Sequence, residues 1–355
     1  MSRAYRICVI PGDGIGKEVT PEAVRVLEAA ASSFGFELGL DVLPWGSEYY
    51  LRDGRMMPEN GHEVLANSEA TLFGAVGSLE VPDTITAWGL ILSTRQKLDL
   101  YLNLRPIRSF PVTETHVGPR YQEPYDMLIV RENTEGEYVG LGGRLYGGTD
   151  REMASQVSVF TRHSIDRAVD YAFRAVPPRG LLTSVTKSNA LPHTMGLWDE
   201  VSEDVAGRYP EQRWERMHVD AAAYQMVRAP QRFDVLVASN LFGDILSDVG
   251  AGLQGSLGLA ASGNINPEQK IGIFEPIHGS APDIAGKGIA NPFGSVSSAA
   301  MLLDFIGEEA AAESVRAAVD DCLTAGVATA DLGGTCSTTE VGDELVTRLT
   351  ASSRS

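Results

Sequence analysis

Short apolar runs alternate with longer stretches of helical spacing along most of the chain. Tyr5–Ile10 is continuous enough to predict a buried strand, and Phe36, Leu38, Leu40 and Val42 alternate as a half-buried strand does. Between them Val24, Leu27, Ala30 and Phe34 fall on one helix face. Thr71–Val76 and Tyr101–Ile107 predict strands, and Trp88–Lys97 a helix. Asp126–Val130, Leu181–Thr186 and Val235–Ala238 predict three more strands, and Ile165, Ala168, Val169, Ala172 and Phe173 mark a helix. Further helices are expected near Ser295–Phe305, Glu309–Thr324 and Glu340–Thr350. The Gly- and Thr-rich stretch between Glu132 and Val159 breaks this rhythm and is expected to form a hairpin arm near 134–159. Such alternation predicts an α/β protein with helices packed on a sheet.

Composition narrows the setting. The chain has 355 residues, 29 Lys and Arg against 47 Asp and Glu, and a net charge of −18. That balance repels nucleic acid and anionic lipid without forbidding a local basic pocket for a small acid. No window offers about 20 consecutive apolar residues, so no membrane span is expected, and Met1–Ile10 has no apolar leader core. Cys8, Cys322 and Cys336 show no C-x-x-C spacing, which argues against a disulfide scaffold or a zinc site. A cytoplasmic location is the expectation.

Several constellations could carry chemistry. Gly12, Gly14 and Gly16 follow a strand and precede a helix, but Lys17 stands where the dinucleotide fingerprint needs glycine. The segment is either a tight turn or a cofactor-facing loop. Asn240–Asp248 follows a strand, and in a helix Asp244 and Asp248 share one face. Two carboxylates so close suit an interposed Mg²⁺ or Mn²⁺. Arg95, Arg105 and Arg131 are surface ion-pair partners or a carboxylate-binding set, since the guanidinium fork matches a carboxylate. Lys187 ends a strand and is either a snorkelling lysine or a base. Tyr138 is a core residue or a proton donor, and Asp220 alone reads as a helix N-cap. Phe274–Asp283 is a Pro- and Gly-rich loop in which an acidic residue could accept from ribose hydroxyls and repel a 2′-phosphate.

In this order the motifs resemble the β-decarboxylating dehydrogenases, the isocitrate/isopropylmalate dehydrogenase family, over essentially the whole chain from Pro11–Gly16 to Gly333-Gly334-Thr335. The resemblance implies a two-domain isopropylmalate-dehydrogenase-like α/β fold, not a standard Rossmann domain. Residues 1–100 with 256–355 would form the larger, dinucleotide-binding domain and 101–255 the substrate and dimerisation domain, with the active site in the cleft. It implies that Arg95, Arg105 and Arg131 hold the substrate carboxylate lost as CO₂, and that Asp244, Asp248 and Asp220 bind the metal. Lys187 would be the base and Tyr138 the acid, with Lys187 and Asp220 contributed across the interface of an obligate homodimer with shared sites. Ile15, Gly74, Ala75, Val76, Gly77, Glu275, His278, Gly279, Ser280, Ala281, Asp283 and Asn291 would surround NAD, which Asp283 favours over NADP. Mg²⁺ or Mn²⁺, and K⁺, complete the implied cofactors.

The helix before Arg95 would line the pocket for the C3 substituent, through Trp88, Ile91 and Leu92. Trp88, with Tyr49-Tyr50-Leu51 and Gly54-Arg55-Met56-Met57-Pro58, resembles the tartrate/D-malate branch. Trp88 stands seven residues before Arg95, two 3.6-residue turns along one face. Ser93-Thr94 and Ala221-Ala222-Ala223 depart from that branch. The expected substrate is a small 2-hydroxy diacid such as D-malate or tartrate. The alternatives are isopropylmalate or another C3-substituted malate, and a catalytically silent regulatory subunit.

Overall fold

The first apolar run becomes a strand whose inner residues are almost entirely shielded: Ile7, Cys8, Val9 and Ile10 are each at most 2% exposed. The computed structural model describes residues 3–110 and 123–352. Among these the strands run, in chain order, β1 (Arg3–Gly12), β2 (Phe36–Val42), β3 (Ala70–Ala75), β4 (Leu102–Arg108), β5 (Asp126–Glu132), β6 (Gly142–Leu145), β7 (Met153–Gln156), β8 (Leu181–Thr186), β9 (Arg213–His218), β10 (Val235–Ala238), β11 (Ala261–Asn266) and β12 (Ile271–Pro276). The described residues divide into two units. One is drawn from residues 3–100, 108–110 and 251–352, the other from 101–107 and 123–250.

The first unit orders its strands β2-β1-β3-β12-β11. β1 pairs in parallel with β2 and β3, and β12 in parallel with β3, but β11 runs antiparallel to β12. That order is not the 3-2-1-4-5-6 of a dinucleotide-binding Rossmann sheet. Helix Phe293–Phe305 packs on β12 and β11 and is buried nearly all round. The second unit runs β4-β5-β10-β8-β9, and β5, β10, β8 and β9 are parallel neighbours. Helix Arg162–Ala175 covers β5 and β10 through Ile165, Ala168, Val169, Ala172 and Phe173. Its N-cap is Thr161, whose hydroxyl accepts from the Ser164 amide. The expected arm is a two-stranded hairpin, β6 antiparallel to β7, with every residue of both strands exposed.

Three expectations need correction. Trp88–Lys97 is not a uniform α-helix, because Ala87–Ile91 forms a π turn in which the Leu92 amide donates to Ala87 O. A bond reaching five residues back puts more than 3.6 residues in that turn, so Trp88 and Arg95 do not lie two α turns apart on one line. The expected loop Phe274–Asp283 starts late: Phe274, Glu275 and Pro276 still belong to β12. Asp220 is no N-cap, because His218 holds that position and Asp220 lies in the first turn of helix Val219–Arg228.

The Gly-rich turn is a junction rather than a phosphate cradle. The amides of Asp13 and Ile15 donate to Ala75 O at 2.8 Å and Ser280 O at 2.9 Å, and those of Gly16 and Lys17 to Asp13 O and Gly14 O. Gly12 sits at φ 71°, and a Cβ there would lie 1.9 Å from Ala75 O. Buried Asp13 accepts from the Ser47 amide (2.8 Å), the Ser47 hydroxyl (2.6 Å) and the Gly77 amide (3.0 Å). Asp13→Ala strands all of these donors, so it should cost about 3 kcal/mol, read as a lower urea midpoint; an unchanged midpoint would refute the junction.

Candidate active site

β4, β5 and the helix that follows β10 deliver the charged groups of the second unit. Arg131 is the penultimate residue of β5 and only 1% exposed. Helix Asn240–Gln254 carries Asn240, Asp244, Ser247 and Asp248. Arg131 donates through Nε (3.0 Å) and Nη2 (2.7 Å) to Asn240 Oδ1, and its Nη1 pairs with Asp244. Buried Arg105 donates from Nε to Asn103 Oδ1 at 2.7 Å and from Nη1 to the Ser247 hydroxyl, and pairs with Asp244 at 3.3 Å and Asp248 at 3.9 Å. The Tyr138 hydroxyl donates to the other Asp244 oxygen at 3.0 Å, and the Arg131 guanidinium lies 5.6 Å from the Tyr138 ring centre.

The loop bearing Tyr138 is tied down from two directions. Asn240 Nδ2 donates to Glu135 O at 2.9 Å. The buried Glu132 carboxylate accepts from Thr134 N (3.0 Å), Thr134 Oγ1 (2.8 Å), Glu135 N (3.1 Å) and Ser164 Oγ (3.0 Å). Burial pushes the Glu132 carboxyl up, against the downward pull of those donors. Gly243 lets the helix lie on Arg131, for a Cβ there would meet the arginine stem at 2.7 Å.

Asp244 and Asp248 fit a hard divalent cation. Their donor atoms are all oxygen, they share a helix face, and the Asp248 side chain is 63% exposed. Desolvation pushes the Asp248 carboxyl up, with Arg105 opposing and Asp244 reinforcing it. Among the described residues no three His, Cys, Asp or Glu side chains of one chain gather to hold a metal, so Asp220 does not join the other two within a chain.

Lys187 and Asp220 form their own pair in the second unit. Thr186 of β8 stands opposite His218 of β9, so the residues that follow leave the sheet at the same end. Lys187 Nζ lies 2.7 Å from Asp220 Oδ1, and that hydrogen bond holds the Asp220 carboxyl below its usual range. The Asp220 side chain is 70% exposed, which leaves its second oxygen accessible.

The first unit holds the remaining candidates. Arg95, in helix Leu92–Lys97, pairs with Glu275 of β12 at 2.9 Å, and Asn264 of β11 donates to the same glutamate oxygen at 2.8 Å. Trp88, Ile91 and Leu92 are half-buried, and Ile91 packs against a cluster that includes Cys8, Met56 and Leu90. Ile15, Ala281 and Ala290 pack in one small apolar cluster. Gly74 and Ala75 end β3, Val76 and Gly77 follow it, and Gly77 faces the Ser280 hydroxyl. His278 Nδ1 lies 2.9 Å from the Gly279 carbonyl, Nε2 is buried without a partner, and burial lowers the ring's pKa. Asn291 is committed to Asp331 and to the amide of Phe293, and Asp283 is exposed.

The isocitrate/isopropylmalate dehydrogenase family model matches residues 6–345. The chain belongs to this family. It is 48% identical to the D-malate dehydrogenase (decarboxylating) of Escherichia coli (strain K12), covering 97% of this chain and 98% of that one. It is 45% identical to the tartrate dehydrogenase/decarboxylase of Pseudomonas putida, over 96% of each. An isocitrate dehydrogenase from Methylococcus capsulatus superposes with a TM-score of 0.88 at 37% identity, covering 98% of this chain and 99% of that one.

As an isocitrate/isopropylmalate dehydrogenase family member, the chain is an oxidoreductase acting on a CH–OH group. Its arginines depend on residues that sequence reasoning passed over. Asn103 lies two residues before Arg105 on the same strand, so the period of two could have found it. Asn240 carries no such signal because Arg131 lies 109 residues away, nor does Asn264, whose Glu275 partner is on the next strand. Asn240→Ala removes the acceptor that meets two donors of a buried cation and the donor that meets the Glu135 carbonyl. The expected loss is about 3 kcal/mol in urea unfolding, and a loss under about 0.5 kcal/mol would show that the asparagine does not anchor Arg131.

Proposed function

We propose that this dehydrogenase oxidises a small 2-hydroxy diacid, D-malate or tartrate, with NAD and Mg²⁺ or Mn²⁺, and that loss of CO₂ follows. The observation that carries this reading is the convergence of Arg105, Arg131 and Tyr138 on Asp244: carboxylate receptors, a proton donor and a metal-type carboxylate around one point. The similarity to enzymes named for D-malate and tartrate supports the substrate class.

In this reading Arg105 and Arg131, with Arg95, hold the carboxylate that departs. Asp244 and Asp248 hold the divalent cation, with Asp220 from a second copy. When bound, the dinucleotide supplies a hydride acceptor and the cation a Lewis acid. Lys187, as the neutral amine, takes the proton of the 2-hydroxyl as C2 is oxidised, and Asp220 orients its side-chain nitrogen. The new carbonyl is β to a carboxylate, which can then leave as CO₂. Tyr138 returns a proton to C3. The first unit binds the dinucleotide through Ile15, the segments 74–77 and 279–281, Glu275, His278, Asp283 and Asn291. The exposed apolar residues Leu141, Leu145, Tyr146 and Met153 of the arm, with Tyr224 and Ile245, support a homodimer. Three thiols free of disulfides suit a cytoplasmic setting.

The test is a panel of D-malate, tartrate and isopropylmalate with NAD or NADP and Mn²⁺ in potassium buffer, followed by NADH or NADPH absorbance. D-malate or tartrate with NAD should give the highest kcat/KM; preference for isopropylmalate, or no turnover at all, overturns the reading. EDTA should abolish turnover, and Asp248→Asn should lower it at least about 100-fold. Full activity in EDTA would exclude the metal role. Lys187→Ala and Asp248→Asn, each inactive alone, should regain activity in mixed dimers if sites are shared between copies. NADP should be used at least about tenfold less well than NAD, because Asp283 repels a 2′-phosphate.

A further inference from the structure

Arg95 and Glu275 were expected to serve different ligands, yet they face each other directly. Their side chains are 9% and 10% exposed, and one Glu275 oxygen takes both the Arg95 Nη2 and the Asn264 amide. Arg95 Nε is buried with no partner. A nearly dry guanidinium with an unused donor beside a single carboxylate has capacity for a second anion.

We propose that Glu275 is a positioning residue for Arg95, and that their ion pair couples diacid binding to dinucleotide binding by exchange of partners. This rests on the proposed function, in which Arg95 meets the diacid and Glu275 the dinucleotide. When a diacid carboxylate engages Arg95, the guanidinium is shared between two anions. Glu275 is then under-neutralised in a site with little water, which is costly. A dinucleotide offers amide and hydroxyl donors that relieve this cost. Each ligand therefore binds better with the other in place, and by linkage the factor is the same in both directions.

Dead-end binding tests this without turnover, because NADH cannot accept a hydride. NADH is titrated by its fluorescence into the Mn²⁺-loaded enzyme, with and without a saturating amount of the diacid that the wild type oxidises. The wild type should show about a tenfold lower NADH Kd with diacid present. Glu275→Gln, of the same shape, should reduce that factor to about twofold or less, and so should Glu275→Asp, which keeps the charge but draws it back. A merely structural ion pair would lower thermal stability and leave the factor unchanged, which overturns the proposal. So does a wild type whose NADH affinity ignores the diacid. A wild type that oxidises no diacid, or binds no NADH, overturns the functional reading and this proposal with it.

Discussion

A full positive charge sits on Arg131, almost sealed from water, and the second unit is arranged around answering it. Such a charge is tolerated only when paired and hydrogen-bonded. Asn240 takes two of its N–H groups and Asp244 a third. Meeting that demand places the asparagine and the aspartate one helical turn apart, at the start of the helix that follows β10. The helix can approach only because residue 243 is glycine. The same asparagine then fixes Glu135 and the loop toward Tyr138. The geometry of the candidate site and the burial of one cation are thus a single constraint.

What the sequence made legible follows from how locally each feature is encoded. β1 and β10 contain continuous apolar runs, Ile7–Ile10 and Val235–Ala238, which announce them. Asp244 and Asp248 declare their shared face through spacing alone. β11 hides because Ala-Ser-Gly-Asn-Ile-Asn holds one large apolar residue, Ile265, among small and polar ones, although every position is buried. Its polar side chains are inside because they have partners there: Asn264 serves Glu275, and Asn266 serves Asp99. The π turn at Ala87–Ile91 left no mark either, since its apolar residues also satisfy an α-helical pattern. Asp220 misled because a carboxylate after a strand is read as a cap, whereas its nearest partner is Lys187 on another element.

Acidic residues here serve by having their charge answered in different ways. Glu132 is met by neutral donors, and burial raises its carboxyl. Asp13 is met by amides and a hydroxyl within a turn. Asp220 is met by an ammonium group and stays largely in water. Asp248, unlike those three, is both exposed and flanked by a like charge, which is why it suits a cation from solution.

The junction at the Gly-rich turn also bears on the order in which the molecule assembles. Its amides are satisfied partly by Ser280, and Glu18 just beyond it accepts from the Gly286 amide 268 residues away. The first unit therefore cannot close its opening turn until the stretch from Ala251 onward has been synthesised. The second unit is almost continuous in sequence, so its contacts close over shorter loops and at lower entropic cost. On the ribosome the inner unit would fold first. The N-terminal strands would then wait, with their apolar faces exposed, for partners that the same chain delivers last.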